Sequence, residues 1–225
     1  SSSFAADYRP VFQASFTDKE GTSLKSVKNQ PAALRWSADI PGVATTGKAK
    51  LRVRMAGDVQ GAAGMSYIPL NKLVKPTDRL WLIVEVGGWH FEGVRDEFVR
   101  IGFMHSNKGD RPAPLAQFRL SRNSKGVQIA GEAFNKQQGA TMIPTQQLGG
   151  VTQDERVILA LEYVPAENSY AIYRHVSGER FELLGSGKTS TTRKPNFLRI
   201  AFEGDFASSE NEFFDLERVL LMSAP

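Results

Sequence analysis

The stretch Phe213-Phe214-Asp215-Leu216-Glu217-Arg218-Val219-Leu220-Leu221 sets an acidic residue, Asp215, between apolar residues of a largely apolar run near the end of the chain. A run of this length and composition predicts a β-strand with a buried face. Near the start, the stretch Phe16-Thr17-Asp18-Lys19-Glu20-Gly21 joins an apolar segment to a polar turn. Both ends of the chain are therefore expected to belong to β-structure.

Alternation marks another strand at Lys48-Ala49-Lys50-Leu51-Arg52-Val53-Arg54-Met55, where apolar and basic residues face opposite ways. Turn sequences at 122–126 and 165–168 favour antiparallel meanders, and the glycine-rich segments 57–64 and 139–150 are predicted to be loops. Residues 152–155 have the capping-box form that opens helices, but the alternation after them favours a strand. Further strands are predicted at 11–16, 34–38, 80–86, 98–104, 116–120, 127–130, 157–163, 170–174, 197–202 and 213–222. This spacing indicates an all-β sandwich or barrel.

Composition restricts the class of protein. The chain has 225 residues, of which 41% are hydrophobic, and no linker or repeat divides it, so we expect a single domain over residues 1–225. No apolar window reaches the length of a membrane span, and the absence of cysteine excludes disulfides and thiolate ligands. The formal charge of +4 is dispersed along the sequence, which argues against nucleic acid as a partner.

The two terminal stretches resemble the strands that close the sandwich in the concanavalin A-like lectin/glucanase superfamily, which includes laminin-G-type modules. The resemblance implies an all-β fold, a two-sheet antiparallel jelly-roll sandwich. It places the segments around Phe12 and Val219 side by side in one sheet. It also implies a carbohydrate ligand.

Several members of this superfamily hold a structural calcium ion near the paired termini. The positions that match here are Asp18, Gly21 and Asp215, and calcium prefers hard oxygen ligands such as these residues offer. A carboxylate set in an apolar strand also needs a cation or several donors to offset its desolvation. The alternative is that Asp215 lies at a sheet edge or pairs with Arg218 or Lys19.

The motifs of enzymes with this fold are missing from the sequence. Family 16 glycoside hydrolases carry Glu-x-Asp-x-x-Glu on one strand, and this chain has no match. Polysaccharide lyases use a Gln-x-His strand and a Tyr/Lys-rich strand, but residues 128–130 lack the histidine and residues 170–174 lack the lysine. We therefore predict a carbohydrate-binding protein without catalytic activity. The alternatives are a cell-surface structural module, or a hydrolase or lyase whose acid/base pair comes from Glu132, Glu203, Glu212 and His105.

Aromatic and basic residues supply the candidate sugar site. Trp89 and His90 follow the apolar strand 80–86, and a flat indole face suits the C–H bonds of a sugar ring. Tyr173 is a further aromatic residue of this kind. If their strands are neighbours in one sheet, four outward-facing arginines form a cationic trough for an acidic polysaccharide: Arg52, Arg54, Arg100 and Arg119. The alternative for Trp89 is a structural residue that covers a sheet end.

The first residues, Ser1-Ser2-Ser3-Phe4-Ala5-Ala6-Asp7, contain no initiator methionine, basic n-region or apolar h-region. Such a start is typical of a mature or trimmed terminus. Together with the lectin-like resemblance, it leads us to expect an exported protein that is periplasmic, on the cell surface or secreted.

Overall fold

The computed structural model describes residues 7–54, 63–93, 95–108, 113–135, 139–203 and 211–225. Regular structure in these ranges is β-strand, with two short 3₁₀ turns at Leu24–Ser26 and Pro165–Glu167. No helix in the described ranges is long and apolar enough to cross a membrane. In chain order the strands are β1 (Arg9–Ala14), β2 (Asn29–Gln30), β3 (Val43–Thr45), β4 (Leu51–Arg54), β5 (Ala63–Pro69), β6 (Arg79–His90), β7 (Arg95–Met104), β8 (Pro114–Asn123), β9 (Gly126–Asn135), β10 (Gly139–Gly149), β11 (Thr152–Gln153), β12 (Val157–Val164), β13 (Ser169–Ser177), β14 (Arg180–Lys188), β15 (Phe197–Glu203) and β16 (Phe213–Ala224).

The strands form two antiparallel sheets. The ten-stranded sheet has the order β14-β13-β12-β6-β16-β1-β2, with β4 beside β16, β3 beside β4 and β11 beside β6. The six-stranded sheet has the order β10-β9-β8-β7-β15-β5. One hydrophobic core draws residues from both sheets. The predicted all-β jelly-roll sandwich is confirmed.

The closing strand β16 organises the ten-stranded sheet. It pairs with β6 along its length, whereas its other side is shared between β4 at the start and β1 at the end. Phe12 lies opposite Leu221 and Ala14 lies opposite Val219. The predicted adjacency of the two ends of the chain in one sheet is therefore confirmed.

Four local predictions differ from the structure. The strand predicted over 48–55 begins only at Leu51, because Ala49 has a φ of 56°, outside the β region. The predicted strand 34–38 is a loop, in which Trp36 is fully buried and packs edge-on against Phe12 with 5.8 Å between ring centroids. The first strand ends at Ala14 because Phe16 has a φ of 54°, outside the β region. The predicted loop 139–150 contains β10, whose Ile143 fills the space left by Gly131 on β9. The predicted loop at 57–64 lies mostly outside the described residues.

Candidate functional site

The four arginines predicted to form one trough lie on two different sheets. Arg52 and Arg54 point outward from β4 in the ten-stranded sheet, while Arg100 and Arg119 lie on β7 and β8 in the six-stranded sheet. The outer faces of a sandwich point away from each other. The single trough is therefore wrong, because alternation fixes the face of a strand that a residue occupies but not the sheet that the strand joins.

Trp89 does not present a face to a ligand. It is 1% exposed, its Nε1 donates to the carbonyl of Gly150 at 3.0 Å, and its ring stacks on Phe214. The cause is an extra residue, Gly87, in the pairing of β6 with β16, which reverses the alternation so that Trp89 points into the core with Val86. The prediction that Trp89 stacks on a sugar is therefore wrong, and Trp89 has the structural role that was the alternative.

His90 lies on the outer face of the ten-stranded sheet, close to the two arginines of β4. Its Nδ1 is 2.8 Å from Thr152 Oγ1, and its Nε2 is 3.3 Å from a carboxylate oxygen of Glu92. Phe213 of β16 lies between His90 and Arg54 in the sheet register. The structure thus brings together His90, Arg52 and Arg54 of the predicted site.

Tyr173 belongs to a separate aromatic cluster on that outer face. Its ring centroid is 5.1 Å from that of Trp81, which also contacts Tyr8 and Phe181 at 6.4 and 5.4 Å. The Tyr173 hydroxyl donates to a carboxylate oxygen of Glu162 at 3.3 Å. The cluster is a packed structure around a fully buried indole.

Asp215 is neutralised by a cation of the protein itself. Its side chain is 2% exposed and accepts two hydrogen bonds from Arg52, at 2.9 Å from Nε and 2.8 Å from Nη2. The hydrogen bond to Asp215 raises the pKa of Arg52. Arg218, one of the partners considered for Asp215, instead donates to Glu85 at 2.7 Å.

Each of the three predicted calcium ligands already has a hydrogen-bond partner within the protein. The Asp18 carboxylate accepts the backbone N–H of Lys28, and the N–H of Gly21 donates to the carbonyl of Thr45. Across the described part of the chain, no three acidic or histidine side chains are grouped as metal ligands would be. Because Arg52 offsets the buried charge of Asp215, the desolvation that motivated a metal is compensated without one.

A row of polar side chains that the sequence did not reveal crosses the outer face of the six-stranded sheet. It consists of Tyr67 on β5, Arg199 on β15, Gln117 on β8 and Glu132 on β9, joined by cross-strand register. We call these four residues the polar row. Arg199 is 3% exposed, and its Nη2 donates to Gln117 Oε1 at 2.5 Å. Burial lowers the pKa of Arg199, while the nearby Tyr67 and Glu132 act in the opposite direction.

Gly102 makes the contact between Arg199 and Gln117 possible. It occupies β7 between the strands that carry these two residues. A methyl group at this position would lie 2.3 Å from the carbonyl oxygen of Ala116 and 2.4 Å from Cα of Gln117. Without a side chain on the intervening strand, the guanidinium reaches across β7.

Arg100 and Arg119 lie next to the polar row, directly opposite each other on β7 and β8. Like charges in opposed positions are destabilising. Acidic residues lie near both: Arg100 is 3.7 Å from Glu203, and Arg119 is 3.9 Å from Glu132. With Arg199, these residues place three guanidinium groups on neighbouring positions of one sheet face.

The four acid/base candidates have unequal surroundings. Glu132 and Glu203 lie beside the arginines of this face. Glu212 is buried and accepts the backbone N–H groups of Glu92 and Gly93, both at 2.8 Å. His105 accepts the N–H of Lys194 and lies in a loop contact. The last two therefore have structural partners away from the polar row.

A charge within an apolar strand is the sequence signal that could have identified the polar row. Arg199 lies between the apolar residues Leu198 and Ile200 in the predicted strand 197–202, as Asp215 lies between apolar residues of the closing strand. Both residues are buried in the structure. The signal does not reveal which side chains meet Arg199, because its partners come from strands remote in sequence.

No protein-family model matches the chain, and no curated protein matches it. Several solved structures are similar to the chain. The endo-1,3-beta-glucanase from Streptomyces sioyaensis aligns over 100% of both chains with a TM-score of 0.60 and 14% identity. The carbohydrate recognition domain of Emp47p aligns over 95% of this chain and 97% of its own, with a TM-score of 0.58 and 10% identity. The Ca²⁺-bound exoplasmic/lumenal domain of VIP36 covers 90% of this chain and 88% of its own, with a TM-score of 0.57 and 11% identity. The chain therefore has the fold of the concanavalin A-like lectins and glucanases.

Proposed function

We propose that this protein binds a carbohydrate bearing acidic groups on the outer face of its six-stranded sheet. The observation that carries the proposal is the grouping of Arg100, Arg119 and Arg199 on adjacent positions of that face. A carboxylate or sulfate placed between Arg100 and Arg119 relieves their mutual repulsion. Carbohydrate recognition by Emp47p, which shares the fold, supports the class of ligand.

The polar row holds Arg199 in a defined orientation on this face. Arg199 is held by Gln117 and bordered by Tyr67, so that its guanidinium keeps one orientation before any ligand arrives. Arg100 and Arg119 have side chains that are 25% and 23% exposed, so a ligand can reach them. A preorganised cation loses less conformational entropy on binding than a mobile surface side chain.

We further propose that the protein binds without cleaving and that it is exported. The missing Glu-x-Asp-x-x-Glu strand supports the first part. The exoplasmic/lumenal domain of VIP36 among the structural neighbours supports the second. Fusion of the native gene to a compartment reporter tests export directly.

Polysaccharide lyase activity is the second candidate, and one observation favours it. The Tyr67 phenol lies beside the buried guanidinium of Arg199 and in line with Gln117. A phenol next to a cation can exchange a proton with a uronate whose carboxylate is neutralised by arginine. Ultraviolet detection of unsaturated uronate distinguishes this candidate from binding alone.

Calorimetric titration with polygalacturonate and with neutral dextran tests the proposed function. Arg100→Ala/Arg119→Ala should weaken polygalacturonate binding about tenfold at low salt, and the loss should shrink as salt rises. The control Lys72→Ala/Lys75→Ala removes the same charge from exposed loop positions and should bind like the wild type. Unchanged affinity in the arginine variant contradicts the proposal.

A further inference from the structure

A cleft of about 690 Å³ lies on the other side of the molecule, along the outer face of the β3–β4 hairpin. Small residues are among those that line it, including Gly42, Ala44 and Thr45. Four basic residues line it: Arg52 and Arg54 on β4, Lys50 directly before that strand, and Lys48 in the turn between β3 and β4. Residues two apart on a strand are about 6.7 Å apart, so Arg52 and Arg54 follow each other along the cleft at that spacing, and the turn carries Lys48 beyond Lys50 at the tip of the hairpin. We call these four residues the cation ladder.

The two central cations of the ladder are held in place. Arg52 is fixed by both oxygens of Asp215 and lies over the Phe213 ring, with 4.1 Å from Cζ to the centroid. Lys50 lies 3.8 Å from Glu217 and within 3.4 Å of the Gly87 carbonyl oxygen. These partners neutralise the middle of the ladder and orient Arg52, whose side chain is still 39% exposed.

The two outer cations, Lys48 and Arg54, are exposed, and their side chains have no ionic or hydrogen-bond partner among the described residues. Glu20 is the one carboxylate among the residues that line the cleft. The cleft thus has unneutralised positive charge at both ends and an oriented guanidinium between them. A cleft of this volume is larger than a single small anion and accommodates a short oligosaccharide.

We propose that the β3–β4 cleft is a second binding site, for a carboxylated or sulfated segment of a glycan. The choice of a glycan among anionic ligands rests on the proposed function, whereas the site itself rests on the cation ladder. The ladder lies on the ten-stranded sheet and the polar row on the six-stranded sheet. Because these outer faces point in opposite directions, one molecule with both sites bridges two polysaccharide chains.

The test compares three double variants with the wild type. Lys48→Ala/Arg54→Ala removes the outer cations without leaving Asp215 unpaired, and Arg100→Ala/Arg119→Ala removes charge from the six-stranded sheet. Lys72→Ala/Lys75→Ala is the charge-matched control. Calorimetric titration with an oligogalacturonate and with a short dextran sulfate gives the number of sites, and light scattering with polygalacturonate and dextran sulfate measures bridging. Melting curves verify that each variant is folded.

With at least one of the two anionic ligands, the wild type and the control should bind at two sites per chain and should aggregate the corresponding polymer. The Lys48→Ala/Arg54→Ala variant should lose one site, or bind there about tenfold more weakly, and should no longer aggregate them. If it keeps both sites, the cleft proposal is overturned. If the Arg100→Ala/Arg119→Ala variant binds nothing at all, the cleft proposal is overturned while the proposed function stands. If only the cleft variant loses binding, the proposed function fails and the cleft proposal stands.

Comparison of the two polymers identifies the anionic group. If the cleft binds dextran sulfate but not polygalacturonate, its ligand is a sulfated segment. If it binds polygalacturonate but not dextran sulfate, its ligand is a carboxylated segment. Equal binding of neutral dextran at the cleft contradicts the proposal, because the cation ladder then contributes nothing.

Discussion

At the scale of single residues, the fate of Asp215 shows how a buried charge is accommodated. The carboxylate lies near the start of the closing strand, and Arg52 on the neighbouring strand reaches it with two hydrogen bonds. The partial exposure of Arg52 lets its charge keep contact with water, which reduces the desolvation cost of the pair.

Arg52→Ala should therefore destabilise the fold by about 3 kcal/mol, because it leaves a buried carboxylate without its counter-charge. Arg54→Ala on the same strand is the control, and its effect should stay within about 0.5 kcal/mol. Urea unfolding measures both free energies. Equal stability of the two variants contradicts the structural importance of the Arg52–Asp215 pair.

Calcium should leave the melting temperature of the wild type unchanged, since the Asp215 oxygens are already bound by Arg52 and Asp18 accepts a backbone N–H. An ion that binds only the folded state raises the melting temperature by mass action. Thermal melting in EDTA and in excess calcium tests this expectation. A calcium-dependent rise that Asp18→Ala abolishes counts against it.

At the scale of elements, the packing of the six-stranded sheet depends on Gly102, the position of β7 that has no side chain. Gly102→Ala would place a methyl group against the backbone of β8, on the strand that lies between Arg199 and Gln117. We expect the free energy of unfolding to fall by about 1–3 kcal/mol, as at other overpacked sites. We also expect weaker polygalacturonate binding. Gly21→Ala does not serve as a control because its φ is +80°.

A better control for Gly102→Ala is Ser121→Ala, which lies on β8 at an intermediate, partly exposed position. Its effect on stability should be small. Chemical unfolding and titration of the two variants separate strain in β7 from a general sensitivity of the sheet. Wild-type stability and affinity in Gly102→Ala would falsify the role assigned to the glycine.

The aromatic cluster on the ten-stranded sheet makes stability depend on alkaline pH. Burial, with Glu162 nearby, raises the pKa of Tyr8 and of Tyr173 from 10.0 to about 12. The unfolded chain releases these protons first, so the free energy of unfolding should fall as pH rises from about 10 to about 12. Tyr173→Phe should make this fall shallower in urea unfolding measured across that window. An identical slope in the variant and the wild type contradicts the prediction.

At the scale of the whole molecule, both sheets contribute to one hydrophobic core. We propose that the chain is a single domain, and we expect one cooperative unfolding transition with equal calorimetric and van't Hoff enthalpies. Differential scanning calorimetry measures both quantities. Two resolved transitions would show that the sheets, or the ends of the chain, unfold independently.

The sequence by itself determined the fold class. Alternation fixed the inward side of β4 and β12, and the resemblance of the two terminal stretches placed β1 beside β16. These features are local or belong to a recurrent pair of strands, and sequence patterns report them directly. The same local reasoning failed at Trp89, because a bulge one residue long reverses alternation and depends on how Gly87 packs against β16.

Only the tertiary structure decided which functional side chains meet. It separated Arg52 and Arg54 from Arg100 and Arg119, joined Arg52 to Asp215, and assembled Arg199, Gln117 and Tyr67 on one face. The partners in each case lie many residues apart, on strands whose order in a sheet is set by global packing. A side-chain pattern on one strand contains no information about its neighbour across the sheet, and for this reason the site required the fold.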